Sequence, residues 1–409
     1  MRVLVTFVGG SGHLLPLLPV ARALAYRGHD VALSCQHAML DVAEGAGFQA
    51  FDSGGATLAY PGARGPLRPV DRAREERAIR DGFAGHTATE RAGRLVDVAT
   101  RWKPQVVVHD EVDLGAIVAA ESLGFPHVGV IVLAAGGLLR PDLVAERLDV
   151  LRTAHQLPPD PGLAALHRHL TLVPVPPSFR APTDPLPSTA RHVRPAVLEP
   201  MGTSLGAPGA AAVLDWIGRR HGQPTVYLTL GTIFSQESGD LLSRVLAGLV
   251  ELDVNVIVTV GREIDPTELA HQPTNVRVEQ YLPQEVLLPH CDVVVCHGGS
   301  GSVLGALAFG VPLVLLPMGA DQPLNGDRCE ALGVARVLDP ITTTRSLITA
   351  TVREILTTPS YRRAAQRLRN EAATLPPAQQ AASWVEVLVE SDSLKHRPGT
   401  GEPSPRTGR

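Results

Sequence analysis

Cysteine is scarce in this chain and forms no recognisable motif. The four cysteines, Cys35, Cys291, Cys296 and Cys329, fall in no CxxC spacing. A chain of 409 residues can bury enough apolar surface to fold without disulfides. The sequence therefore predicts free thiols and a reducing compartment.

The chain also lacks long apolar runs and an excess of positive charge. No stretch reaches the roughly 20 apolar residues of a membrane-spanning helix. The opening, MRVLVTFVGG, reaches glycine before a signal-like segment develops. A net charge of -4 argues against a broadly cationic surface for nucleic acid or anionic lipid. We expect a cytoplasmic protein with no nucleic-acid partner and no stable membrane insertion.

Several cofactor signatures are incomplete or missing. VGGSGHLLP follows the first predicted strand, but Leu15 stands where the dinucleotide fingerprint GxGxxG requires its third glycine. A GK[ST] sequence is missing from the later glycine turn, which excludes an ATPase P-loop. That turn has no DxD sequence or clustered carboxylates near it, so we expect neither a metal nor another cofactor.

Two series of alternating strands and helices make up most of the chain. With 44% hydrophobic and 19% charged residues, the composition is that of a soluble globular protein, and its length favours two domains. Strand-like segments such as RVLVTFV, PQVVVHDE, PTVYLTLG and CDVVVCHGG precede helix-like segments. The pattern predicts an α/β protein with two Rossmann-like, doubly wound parallel-sheet domains that face each other across a cleft.

Composition also suggests the domain boundaries. Proline and glycine become frequent after residue 174, and we place a linker at residues 201–222, between domains at 1–200 and 223–375. A last helix at 376–392 is expected to return toward the first domain, followed by a disordered tail at 393–409. Residues 53–85 are predicted to form a loop with one short helix, which either gates a substrate or presents a solvated charged face.

The first glycine turn carries a histidine. Gly10, Ser11 and Gly12 place His13 at the carboxyl end of the first strand, and Pro16 is expected within the first helical turn. An imidazole at this edge can accept a proton at neutral pH, although it can equally cap the helix.

A later strand ends in three acids. Asp110, Glu111 and Asp113 follow VVVH, and the carboxyl ends of parallel strands meet at one edge of the sheet. A carboxylate there would fix the tautomer of a basic histidine. Asp110 is the first choice because it directly follows the apolar run; it could instead cap the next helix, and the other two acids stay open.

The second glycine turn resembles an anion site. Bare amides and hydroxyls at a helix N-terminus suit a diphosphate. The residues predicted to contact it are His297, Gly298, Gly299, Ser300, Gly301 and Ser302, with Thr232 after a neighbouring strand. Asp321, Gln322 and Asn325 follow the next strand as candidates for sugar hydroxyls, or as ordinary turn and cap residues.

Together these motifs resemble the inverting GT-B glycosyltransferases that modify macrolides, enediynes, aromatic polyketides and glycopeptides. The matching segments include GGSGHLLPLLPVARALAYRGHDVAL, VVHDE, LTLGT and the block at residues 281–325, so that the likeness extends to about residue 392.

The resemblance implies a nucleotide sugar in the second domain and an acceptor hydroxyl in the first. His13 then corresponds to the general base and Asp110 to its partner, and the diphosphate and sugar contacts match those above. The nucleoside is expected near Tyr281, Leu282 and Gln284, where Tyr281 stands in place of a tryptophan common in relatives. The substrates are thus an NDP-sugar, of the dTDP or UDP type, and a small-molecule aglycone.

Other activities fit the same fold. A nucleotide-sugar epimerase would need acid and base groups but no acceptor pocket, and a helper protein would keep the cleft without catalysis. A cell-wall enzyme of the MurG type would need a basic, apolar docking face that is not evident here. The sequence leaves the sugar, the acceptor and the oligomeric state open, a homodimer included.

Overall fold

The computed structural model describes residues 1–57, 65–199, 209–220, 222–231, 238–261, 264–269 and 272–395. The first sheet has seven parallel strands in the order β3-β2-β1-β4-β5-β6-β7. These strands are β1 (Arg2–Thr6), β2 (Asp30–Cys35), β3 (Gln49–Asp52), β4 (Val106–Asp110), β5 (His127–Val130), β6 (Leu170–Val173) and β7 (Ala190–His192).

The second sheet repeats this arrangement with six parallel strands, in the order β10-β9-β8-β11-β12-β13. Its strands are β8 (Thr225–Thr229), β9 (Asn255–Thr259), β10 (Val276–Glu279), β11 (Val293–Cys296), β12 (Leu313–Leu315) and β13 (Ala335–Val337). The order of strands reverses beside β1 in the first sheet and beside β8 in the second. Such switch points are where open α/β sheets bind ligands, and the predicted α/β architecture of two doubly wound sheets is confirmed.

Helices cover both sheets. In the first half they are α1 (Ser11–Leu14), α2 (Leu18–Tyr26), α3 (Leu40–Gly45), α4 (Arg72–Arg77), a π-helix (Ala78–Thr87), α5 (Ala88–Trp102), α6 (Leu114–Ser122) and α7 (Pro141–Ala154). The second half has α8 (Ala210–Gly218), α9 (Leu241–Leu249), α10 (Gln284–Leu287), α11 (Ser300–Ala308), α12 (Gln322–Ala331), α13 (Arg345–Thr357), α14 (Pro359–Thr374) and α15 (Ala378–Lys395). Short 3₁₀ turns occupy His37–Met39, Ala164–His167, Ala196–Leu198, Pro266–Leu269 and Leu288–His290.

Three local expectations differ from the structure. Residues 72–102 are continuously helical, so the predicted short helix is the start of a long one. Pro16 lies between α1 and α2, and Pro19 instead occupies the first turn of α2, where its missing N–H costs little. The described part of the predicted linker contains α8, whose Ala210 and Val213 are buried in the second core.

Helix α15 begins after the second sheet yet packs on the first. Ala381, Ala382 and Val385 are fully buried in the same cluster as Val3, Val5 and other residues of the first sheet. At its surface, Glu386 accepts hydrogen bonds from Arg27 and His29. The helix extends to Lys395, three residues beyond its predicted end, and its buried apolar contacts reach Val389; residues 396–409 lie outside the described part.

Candidate active site

His13 lies at the switch point of the first sheet, in the short helix α1 that follows β1. Gly10 is the N-cap of α1, and the amide of His13 donates to the Gly10 carbonyl. Ser11 and Gly12 form the first turn of α1. Gly9, with φ of +107°, leaves room for the imidazole, since a Cβ there would lie 2.6 Å from His13 Cδ2. The imidazole is 25% exposed, which leaves it accessible to a reactant.

Asp110, at the end of the adjacent strand β4, holds this imidazole. Its Oδ2 accepts hydrogen bonds from His13 Nδ1, at 3.2 Å, and from the Val8 amide. Its Oδ1 accepts from the amides of Val112 and Asp113. A fully buried carboxylate with four donors is rigidly fixed. Since it only accepts, the neutral ring of His13 carries its proton on Nδ1 and keeps a lone pair on Nε2.

The charge of Asp110 sets the basicity of His13. Burial lowers the pKa of His13, but the hydrogen bond to Asp110 and the charges of Asp110, Asp321 and Glu111 outweigh burial and raise it above its ordinary value. Asp321 belongs to the second half of the chain. The Ala134 amide of the first half donates to Ser300 Oγ, which donates to Asp321, so the carboxyl ends of the two sheets face each other.

The other two candidate acids have different partners. Glu111 Oε1 accepts hydrogen bonds from the amides of Val132 and Leu133, at 2.7 and 2.5 Å. Asp113 forms a buried, bidentate ion pair with Arg91 and caps α6. Of the three acids, the structure thus places Asp110 in contact with His13.

The sequence interpretation missed Arg91. Its guanidinium is fully buried and also donates to the Gly54 carbonyl and the Thr6 hydroxyl. A signal was present, because Ala88, Ala92 and Leu95 mark the buried face of α5 at helical spacing and Arg91 falls on that face.

The second glycine turn follows β11 and begins α11. Gly299 is the N-cap, with no side-chain capping bond, and Ser300, Gly301 and Ser302 form the first turn, whose amides have no intrahelical acceptor. Gly298 has φ of +89°, a conformation that favours glycine. The predicted anion-binding amides therefore occupy consecutive positions at one helix N-terminus.

His297 lies directly before this turn and is enclosed by glycines. A Cβ at Gly231 or Gly299 would lie 2.7 or 2.5 Å from its ring, so both positions require glycine for the imidazole to fit. Burial lowers the pKa of His297 to about 4, so the ring is neutral at pH 7. It can offer an N–H to an anion but no charge. Thr232, predicted on the neighbouring loop, lies outside the described residues.

Residues predicted to contact the sugar form a network around the turn. Ser300 Oγ donates to Asp321 Oδ2 at 2.6 Å, and Asn325 Nδ2 donates to the same oxygen and to the Gly298 carbonyl. Gln322 Oε1 accepts from the Met318 and Gly319 amides. Gln322 and Asn325 are buried, and these bonds hold the turn in place.

The predicted nucleoside segment has one exposed aromatic residue. Tyr281 is 47% exposed, Leu282 is buried in the second core, and the amide oxygen of Gln284 lies against Gly305 of α11. Leu282 therefore supports the segment from within the core, because its side chain is only 3% exposed.

Residues 243–388 match the family model described as the C-terminal domain of erythromycin biosynthesis protein CIII-like proteins. The L-demethylnoviosyl transferase of Streptomyces niveus is 30% identical over 394 residues, which cover 92% of this chain and 95% of that protein. The chain belongs to the GT-B glycosyltransferases of antibiotic biosynthesis. It is therefore a glycosyltransferase.

Two further comparisons agree with this assignment. The TDP-daunosamine transferase DnrS of Streptomyces peucetius is 28% identical to this glycosyltransferase, over 98% of this chain and 99% of that protein. The spinosyn rhamnosyltransferase SpnG, solved with thymidine diphosphate, superposes with a TM-score of 0.77 at 24% identity, covering 94% of this chain and 100% of SpnG. The likeness to SpnG supports the assignment of the fold.

The described residues contain neither a candidate metal site nor a helix suited to span a membrane. No group of three or more His, Cys, Asp or Glu side chains within the described ranges is placed to hold a metal ion. No helix in that part of the glycosyltransferase is both long and apolar enough to cross a bilayer.

Proposed function

We propose that this glycosyltransferase moves a sugar, of the deoxysugar class, from a nucleoside diphosphate to a hydroxyl of a natural-product aglycone with inversion. The observation that supports the proposal best is the His13–Asp110 pair, on a domain whose Ala134 amide donates to Ser300 of the second glycine turn. In the proposed reaction, the imidazole on one sheet acts as the base and the glycine turn on the other binds the diphosphate. A dTDP donor is favoured because a relative of similar length is named a TDP-daunosamine transferase.

The reaction is a single displacement. His13 Nε2 takes the proton of the acceptor hydroxyl while its oxygen bonds to the anomeric carbon, and the bond from that carbon to the diphosphate oxygen breaks on the opposite face. The amides of residues 300–302 and the dipole of α11 stabilise the charge that develops on the diphosphate. Asp110 stabilises the imidazolium that forms. No metal is assigned to these steps, and activity in EDTA tests that assignment.

Replacement of His13 tests this assignment. His13→Ala is expected to lower turnover roughly 10²–10⁴-fold while dTDP binding, measured by calorimetry, stays close to the wild-type value. His37→Ala, at an imidazole that is 85% exposed, is the control. Equal losses of turnover and dTDP affinity in the His13 variant would contradict a base role. The anomeric coupling constant of the product reports inversion.

A further inference from the structure

One irregular loop, residues 131–137, joins the two halves of the site; we name it the bridging loop. It follows β5 and precedes α7. Most of its residues are buried although it forms no helix or strand. Buried backbone amides require partners, so the acceptors of this loop show what holds it.

The first pair of amides is held by Glu111. The N–H groups of Val132 and Leu133 both donate to Glu111 Oε1, at 2.7 and 2.5 Å. Glu111 follows Asp110 directly in the sequence. The residue that holds the start of the loop is therefore adjacent to the partner of the proposed base.

The next pair of amides crosses to the second domain. Ala134 N–H donates to Ser300 Oγ at 2.8 Å, and Ala135 N–H donates to Asn325 Oδ1 at 3.1 Å. Ser300 also donates to Asp321, and Asn325 to the Gly298 carbonyl. Consecutive amides of one loop thus connect Glu111 to the turn proposed to bind the diphosphate.

The end of the loop is fixed as well. Gly137 N–H donates to Asp184 Oδ2 at 2.6 Å, and Arg180 pairs with Asp184 and donates to the Leu133 carbonyl. At Gly136, with φ of +79°, a Cβ would lie 2.3 Å from Asp184 Oδ2. With both ends tethered, displacement of residues 132–133 has to be transmitted to residues 134–135.

We propose that Glu111 is a positioning residue for sugar transfer. By holding the bridging loop, it fixes the position of the second glycine turn relative to the His13–Asp110 pair. It acts through backbone amides and not on the reacting atoms. The kinetic part of this inference rests on the proposed function, whereas the structural part can be tested without turnover.

The structural test is amide hydrogen exchange. In Glu111→Ala, exchange should accelerate at residues 132–133, where the acceptor is lost, and also about tenfold at Ala134 and Ala135, an effect comparable to losing one hydrogen bond. Glu111→Gln keeps an oxygen acceptor and should restore slow exchange at both positions. Faster exchange confined to residues 132–133 would overturn the proposal.

A matched control separates this effect from general loosening. Asp160 likewise accepts two backbone amides, from Ala164 and Ala165, but lies in a separate loop. Asp160→Ala should accelerate exchange at residues 164–165 and leave residues 134–135 at the wild-type rate. Acceleration at residues 134–135 in this variant would contradict a specific role for Glu111.

The functional test compares kinetics and dTDP binding. Glu111→Ala should lower kcat and weaken dTDP binding with little change in the KM for the acceptor, and Glu111→Gln should recover both. A Gln variant as impaired as the Ala variant would overturn positioning by hydrogen bonds. If exchange behaves as expected but no variant or wild-type protein transfers sugar, the coupling stands and the proposed reaction fails.

Discussion

At the scale of single residues, the proposed role of His13 as a base depends on its environment. The imidazole is partly exposed, and Asp110 is buried with backbone amides on both oxygens. Asp110 therefore cannot turn away from His13 without losing those bonds. The pair combines a rigid carboxylate with an accessible imidazole, which is the arrangement that the proposed general-base role requires.

The raised pKa of His13 predicts a pH dependence. His13 accepts a proton only when neutral, so kcat/KM should fall as the pH decreases through a value above the ordinary 6.5. Asp110→Asn removes a charge that raises the pKa of His13, while burial still lowers that pKa. The fall of kcat/KM on the acidic side of the profile, its acidic limb, should therefore move to lower pH. A limb that stays in place would contradict the pairing.

Two controls accompany this pH profile. The amide of Asp110→Asn would face a backbone N–H at Val8 or at Val112, so thermal denaturation must show that the variant is folded. Burial raises the pKa of Glu111 to about 7, and its charge contributes to the raised pKa of His13. If the acidic limb belongs to His13, Glu111→Gln should therefore retain it and move it to slightly lower pH.

At the scale of elements, a buried ion pair supports the strand ends that carry the acids. Arg91 of α5 binds Asp113 at the start of α6 with both groups inaccessible to solvent. Burial raises the pKa of Asp113, but Arg91 and the Thr6 hydroxyl outweigh it and the pKa is lowered. The amide of Asp113 in turn donates to Asp110.

Breaking this pair should be costly. Arg91→Met leaves the Asp113 carboxylate buried without its cation and should lower the free energy of unfolding by about 3–5 kcal/mol. Urea denaturation measures the loss. Arg191→Met, at an exposed position, is the control and should change stability little. A loss below about 1 kcal/mol, the range of surface ion pairs, would show that the pair is not a structural anchor.

Much of the site follows from the sequence, for a physical reason. Strand ends in a parallel sheet meet at one edge, so His13 and Asp110 could be predicted together although 97 positions separate them. The contacts of Glu111 and Asn325 could not be predicted, because they depend on how the bridging loop crosses between domains. The sequence also does not separate a nucleoside contact from a core position at Leu282, whose side chain is buried in the second core.

At the scale of the whole molecule, α15 connects the end of the described chain to the first sheet. Its apolar residues are part of the core beneath β1, and its Glu386 pairs with Arg27 and His29. The core of the first domain therefore includes a helix that follows the second domain in the sequence.

Two valines of α15 provide a matched test of this packing. Val385 is fully buried and Val387 is 59% exposed. Val385→Ala should lower the free energy of unfolding by roughly 1.5–3 kcal/mol through lost burial and a cavity, with little change for Val387→Ala. Equal effects in chemical denaturation would contradict docking of α15.

The location of a bound nucleotide tests the central claim most directly, since both sheets carry a glycine turn at the switch point. A crystal structure with dTDP should show the diphosphate within hydrogen-bond distance of the amides of residues 300–302, opposite His13. Diphosphate density at residues 10–12 of the first sheet, or away from both turns, would contradict the account.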